Sequence, residues 1–173
     1  AIGQSGAITA NAFNVSSTGG AITLNNSSNA FGTLTASTSG SDNATIYDSS
    51  AVTVASANIG GTFALTSAGA IGQSGAITTN AFNVSSTGGA ITLGNSGNGF
   101  NTLTVSTSGS NNATIYDASA ITVASAHVGG TFTLTSAGAI GQNDPIIVNA
   151  LNVTSTGGAI TLFLATAMGV PVS

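Results

Sequence analysis

Few side chains in this 173-residue chain have the chemistry to move a proton, hold a metal or attack a substrate. They are the carboxylates Asp42, Asp48, Asp117 and Asp144, the imidazole His127, and the phenols Tyr47 and Tyr116. The chain has no Lys, Arg, Glu, Cys or Trp. General acid–base catalysis needs positioned groups with tuned pKa values. No group of basic residues and no cluster of carboxylates can be assembled from this set, so no catalytic, cofactor-binding or metal-ligating residue is assigned and the expectation is a non-enzyme. Asp48 and Asp117 each follow Tyr and precede Ser or Ala, which reads as a turn carboxylate accepting backbone N–H groups. The sharper alternative, a weak Ca²⁺ site, would need about six or more oxygens, and no Gly-Gly-x-Gly-x-Asp repeat supplies them. Tyr47 and Tyr116 should project outward beside inward Ile46 and Ile115, to touch a turn or to stack on a sugar. Asn-x-Ser/Thr sequences at Asn14, Asn25, Asn26, Asn43, Asn83, Asn112 and Asn152 are candidate glycosylation acceptors.

Composition narrows the classes further. Only 2% of residues are charged, against roughly 25% in an ordinary globular protein. Solubility must rest on hydroxyl and amide groups. Without a cation, electrostatic binding of nucleic acid or anionic lipid is not expected. Hydrophobic residues make up 42%, the reverse of the disorder signature. No apolar run nears the ~18 residues of a spanning helix, and the strand signals are about half the ~10 residues of a membrane barrel strand. Membrane insertion is therefore not expected. Ala1 falls mid-pattern with no leader-like segment, which reads as a piece of a longer protein.

The elements that hold these residues follow from repetition. Ala1-Ile2-Gly3-Gln4-Ser5-Gly6-Ala7-Ile8-Thr9 returns unchanged at Ala70–Thr78 and, altered, from Ala139, 69 positions on each time. Module one is 1–69, module two is 70–138, and a truncated third module is 139–173 with a divergent end from 163. The first two differ at twelve positions. Three of these swap one apolar residue for another, Ala36/Val105, Val52/Ile121 and Ile59/Val128, while the rest are drifts among small or polar residues, as in Asp42/Asn111 and Asn58/His127. His127 therefore reads as a surface residue. Runs such as Ala44-Thr45-Ile46-Tyr47 and Thr62-Phe63-Ala64-Leu65-Thr66 alternate with period 2, the mark of strands with one buried face. Gly19-Gly20, Asn25-Asn26, Ser39–Asn43, Asp48–Ser50 and Gly60-Gly61 read as turns.

A long unit that recurs almost unchanged stacks most simply on itself. The expected fold is all-β, a parallel β-helix or β-solenoid with about three coils per 69-residue repeat. Seven or eight coils at ~4.8 Å each make a rod on the order of 35 Å long. The core would be lined by Phe13, Ile22, Leu24, Leu34, Ile46, Val52, Val54, Phe63 and Leu65. Module two would add Phe82, Ile91, Leu93, Leu103, Ile115, Phe132 and Leu134, with Phe13 and Phe82 in equivalent places. Turn asparagines would either ladder onto their equivalents one coil away or cap turns locally. Pro145, lacking an N–H, should sit at a corner.

The phrases Ala21-Ile22-Thr23-Leu24-Asn25-Asn26-Ser27-Ser28-Asn29-Ala30-Phe31-Gly32-Thr33-Leu34 and Gly61-Thr62-Phe63-Ala64-Leu65-Thr66-Ser67-Ala68-Gly69-Ala70-Ile71-Gly72-Gln73-Ser74-Gly75 resemble repeats of filamentous-haemagglutinin-like bacterial exoproteins, the adhesins of two-partner secretion. The resemblance covers nearly all of 1–162 and carries no catalytic motif. It implies a right-handed parallel β-helix in an extracellular or cell-surface adhesin, exported through an outer-membrane partner. The family's secretion domain is not visible, and nothing carries over to 163–173. On this reading the chain is a structural shaft whose partners are itself or flanking repeats, end to end. Alternatives are a self-assembling filament subunit and a module that binds host or surface glycans. A third, an ice-binding solenoid, is suggested by Thr33-x-Thr35, Thr102-x-Thr104 and Thr131-x-Thr133-x-Thr135, and irregular strand spacing argues against it.

Overall fold

The computed structural model describes residues 1–163. These residues form a β-solenoid: thirteen strands, all paired in parallel, with no helix among the described residues. Two ladders run its length. The first joins β2 (Ile22–Leu24), β4 (Ala44–Asp48), the second half of β5 (Val52–Ser67), β7 (Ile77–Ser86), β9 (Gly99–Thr107), the first half of β11 (Ile121–Ser136) and β12 (Ile140–Gln142). The second joins β1 (Thr9–Ser17), β3 (Ala30–Thr38), the first half of β5, β6 (Ile71–Gln73), β8 (Ile91–Leu93), β10 (Ala113–Asp117), the second half of β11 and β13 (Ile146–Ser155). The 16-residue strands β5 and β11 run round from one ladder to the other.

Register fixes the coil length. On the first ladder the inward rungs are Ile2, Ile22, Ala44, Phe63, Phe82, Leu103, Val123 and Gln142. Seven steps carry the chain from residue 2 to residue 142, or 20 residues per coil, so a 69-residue module takes about three and a half coils. The half coil matters. The second ladder reads Phe13, Leu34, Val54, then Ile71, Ile91, Ala113, Phe132 and Leu151. It is the same series entered at a later point. Each residue of module two thus meets the same kinds of neighbour as its counterpart in module one, but on the other ladder. Phe13 and Phe82 are equivalent in this sense and lie half a coil out of phase.

Inward side chains from both ladders fuse into one apolar core. Its largest members include Phe31, Phe63, Phe82, Phe100 and Phe132, all fully buried. Every expected core residue is buried except Phe13, which lies in the first coil and is half-buried although its ring stacks on Phe31 at 4.7 Å. Phe63 stacks on Phe82 at 5.3 Å, and Phe82 lies 5.0 Å from Phe100 in a tilted arrangement. Such ring pairs add about 0.5–1.5 kcal/mol to the burial itself.

Two expectations need correction. Gly60-Gly61 is not a turn; both residues lie inside β5, at a register shift between Ile59 and Thr62. Their role is close approach: a Cβ on Gly60 would fall 1.6 Å from the Gly40 carbonyl oxygen, and one on Gly61 would fall 2.3 Å from Asn43 Oδ1. Gly129 repeats the first contact on Gly109. Strands are also longer than the sequence runs suggest, because the chain stays extended through such corners. Pro145 occupies the turn between β12 and β13, the corner expected of it.

Candidate functional site

The reactive groups identified from sequence do not converge. Among the described residues, no three His, Cys, Asp or Glu side chains lie close enough to hold a metal. Instead, polar groups are set at repeated corners, several of them bound to the coil beside them.

Asp48 ends β4 on the same face as Ala44 and Ile46, so strand alternation turns its carboxylate inward, and it is fully buried. Oδ2 accepts the Phe31 backbone N–H at 2.6 Å. Oδ1 accepts the Ser50 N–H at 2.7 Å and its hydroxyl at 2.8 Å. Asp117 repeats this with Phe100 at 2.7 Å and Ser119 at 2.7 and 2.8 Å. Both carboxylates do accept backbone N–H groups as expected, but the Phe31 and Phe100 donors lie 17 positions earlier in the chain, so each carboxylate ties two coils together. Burial pushes the Asp117 carboxyl above its ordinary value of 3.8, against the lowering effect of the Ser119 and Phe100 donors.

The chain also builds an amide pair that sequence reasoning missed. Gln4 and Asn29, 25 positions apart, bond reciprocally: Gln4 Nε2 donates to Asn29 Oδ1 at 2.8 Å and Asn29 Nδ2 donates to Gln4 Oε1 at 2.9 Å. Asn29 Oδ1 also accepts the Ile8 N–H, and Nδ2 donates to the Leu24 carbonyl. Gln73 and Asn98 form the same pair in module two. The repeat of Gln-x-Gly and of the last Asn in each turn was visible in the sequence, but nothing local paired them. In the third module Gln142 bonds the backbone N–H and carbonyl of Phe163 instead.

Turn asparagines divide their work. Asn26 and Asn95 cap locally, accepting the Ser28 and Gly97 N–H groups. Asn43 and Asn112 reach the next coil, accepting the Thr62 and Thr131 N–H groups. Asn101 donates to Asn80 at 2.9 Å, a ladder contact between non-equivalent positions. Among the candidate glycosylation acceptors, Asn14, Asn83 and Asn152 stand outward in mid-strand and are exposed; Asn14 and Asn152 lie on the second ladder and Asn83 on the first. Asn25 is exposed and Asn26 half-buried.

The remaining candidates are isolated. Tyr47 and Tyr116 turn outward and are half-buried. His127 is exposed, with Ser125 Oγ 3.3 Å from Nδ1. It lines a cleft of about 310 Å³ with Thr107, Val128, Gly129, Ile147, Val148 and Asn149. The outward threonine ranks are broken: Thr45 is followed by Ala64 and Asn83 before Thr104, and Thr62 by Ala81 before Thr102. That interruption weighs against a flat ice-matching face.

Comparison with known proteins gives one family match, described as repeats of unknown function (DUF5649), over residues 1–38, 41–107 and 110–169. No curated protein and no solved structure matches the chain.

Proposed function

The chain belongs to this family of repeats of unknown function, and from that premise we propose that it is a shaft segment of a secreted or cell-surface fibrous adhesin, a part whose task is to span distance. The observation that carries the reading is mutual completion of coils. Each interior strand has both edges bonded by neighbours, and the polar corner groups spend their hydrogen bonds between coils. Among the described residues, no buried side-chain nitrogen or oxygen is left without a partner. Such a structure resists local opening and presents proteases with little free backbone. The uncharged Thr, Ser and Asn exterior fits a spacer and offers little for electrostatic recognition. The sequence resemblance to filamentous-haemagglutinin-like repeats supports the adhesin context.

The test is to express the protein within its natural chain and shorten it by whole modules. If the region is a shaft, electron microscopy will show the surface projection shorten in proportion to the modules removed, with the distal part still folded. An unchanged projection length would overturn the reading.

A second reading, a filament subunit that stacks end to end, draws on the end coils. The exposed large hydrophobic residues Ile147, Leu151, Ile160 and Phe163 all lie in the last described coil, at 58%, 38%, 44% and 65% exposure. Phe82 and Ile91, the counterparts of Leu151 and Ile160 one module earlier, are buried at 0% and 1% because a further coil covers them. Edge strands of this kind are templates for another chain. Concentration-dependent filaments of the purified protein would favour this reading over the first.

A further inference from the structure

Asn98-Gly99 is the one Asn-Gly step in the chain; the corresponding step in module one is Asn29-Ala30. Asn98 is fully buried. Its Oδ1 accepts from Gln73 Nε2 at 2.8 Å and from the Ile77 N–H at 3.0 Å. Its Nδ2 donates to Gln73 Oε1 at 2.8 Å and to the carbonyls of Leu93 and Tyr116 at 3.2 Å. Both ends of the amide are therefore fixed, and Gly99 is held in the β9 ladder against Thr78.

An asparagine followed by glycine is chemically exposed whenever its chain is free, because no Cβ hinders the glycine nitrogen. That nitrogen attacks Asn98 Cγ and forms the new C–N bond of a five-membered succinimide. The bond from Cγ to the side-chain nitrogen breaks, and ammonia leaves carrying the proton lost from the Gly99 amide. Water then opens the ring, adding hydrogen to nitrogen and hydroxyl to one carbonyl carbon, to leave aspartate or its isoaspartyl isomer. We propose that Asn98-Gly99 is a latent deamidation site, silent while the coil is closed, that turns an opening of module two into a permanent break. The product cannot be re-accommodated. A carboxylate at this place would set its oxygen against the Gln73, Leu93 and Tyr116 carbonyls that Nδ2 now serves, in a buried site of a chain that has no Lys or Arg to offset it. The isoaspartyl product would in addition insert a backbone methylene ahead of β9. Chemical modification outrunning refolding is a recognised route to irreversible unfolding.

Gly99→Ala supplies the control. A Cβ on Gly99 would meet only Thr78 Cγ2, at 3.9 Å, and module one already carries Ala30 at that place. The full chain and the Gly99→Ala variant are incubated at mildly alkaline pH, with and without denaturant, then returned to native buffer. Peptide mass spectrometry reads Asn98, with Asn29 as internal reference, and circular dichroism reads recovery. The expected result is retention of Asn98 in native buffer, and conversion in denaturant at least tenfold faster than Asn29. Gly99→Ala abolishes the excess. The converted fraction fails to regain the β signal or protease resistance, while unconverted chains regain both. Equal conversion in native and denatured samples would overturn the idea that the fold silences the site. Full recovery by deamidated chains, or no excess over Asn29, would overturn the break itself.

Discussion

Asp48→Ala tests whether the inward carboxylates hold coils together. The substitution removes the acceptor of the Phe31 N–H, a buried donor. A buried donor left without a partner costs about 1–3 kcal/mol. The two Ser50 donors belong to an exposed residue, so water replaces most of what they lose. Relief of a desolvated charge offsets part of the total. The expected net loss is therefore about 2 kcal/mol, read as a lower midpoint of urea unfolding with native-state hydrogen exchange to locate it. Because a solenoid's stability is close to a sum of neighbour terms, protection should fall at Phe31 and in the coils of β3 and β4, with little change beyond β9. Asp48→Asn should lose clearly less, since the amide oxygen can still accept from Phe31 while its nitrogen donates to Ser50 Oγ. Asp117→Ala should repeat the loss. The two sites lie 69 positions apart on different ladders and share no partner, so the double variant should lose about 4 kcal/mol. Equal losses for Asn and Ala at position 48, or a loss under about 0.5 kcal/mol for Asp48→Ala, would refute the argument.

Three further expectations follow from the same geometry. Gly60→Ala places a methyl within 1.6 Å of the Gly40 carbonyl oxygen, and should cost about 3 kcal/mol, the upper end for overpacking, by the same urea assay. Phe82→Ala removes a ring packed between Phe63 and Phe100 and should cost about 3–5 kcal/mol, whereas Phe82→Leu, the residue that module three carries as Leu151, should cost under about 1.5 kcal/mol. The Asp117 carboxyl is raised above 3.8, so the folded state binds its proton more tightly than the unfolded state. Its contribution to stability therefore grows as pH falls through the raised value and levels off below 3.8. Melting temperature followed against pH should show the wild type gaining on Asp117→Asn across that window.

Much of this architecture was legible in residue alternation. Thr62-Phe63-Ala64-Leu65 reads as one inward and one outward face, and the structure buries Phe63 and Leu65 and leaves Thr62 and Ala64 half-buried. The same parity placed Asp48 with Ala44 and Ile46, a signal for an inward carboxylate that its acidic character masked. Phe31 was hidden for the opposite reason: it lies three residues before Leu34, so a strict count of two turns it outward, while β3 buries both. Gly60 looked like a turn residue because close approach and positive φ select the same amino acid. Here the positive-φ glycines are Gly20, Gly40 and Gly109. The Gln4–Asn29 pair and the half-coil phase depend on which strand lies beside which, and a repeat of 69 residues does not disclose a coil of 20.

That half coil ties geometry to copy number. One added module would lengthen the rod by ~17 Å, at ~4.8 Å per coil, and turn everything beyond it to the opposite side. Two added modules would restore the original heading. A chain that gains or loses such units would thus change its length in even increments, while the side to which the following coils are turned would follow whether the number of units is odd or even. Asn14, Asn83 and Asn152, alternating between the two ladders, already follow that rule.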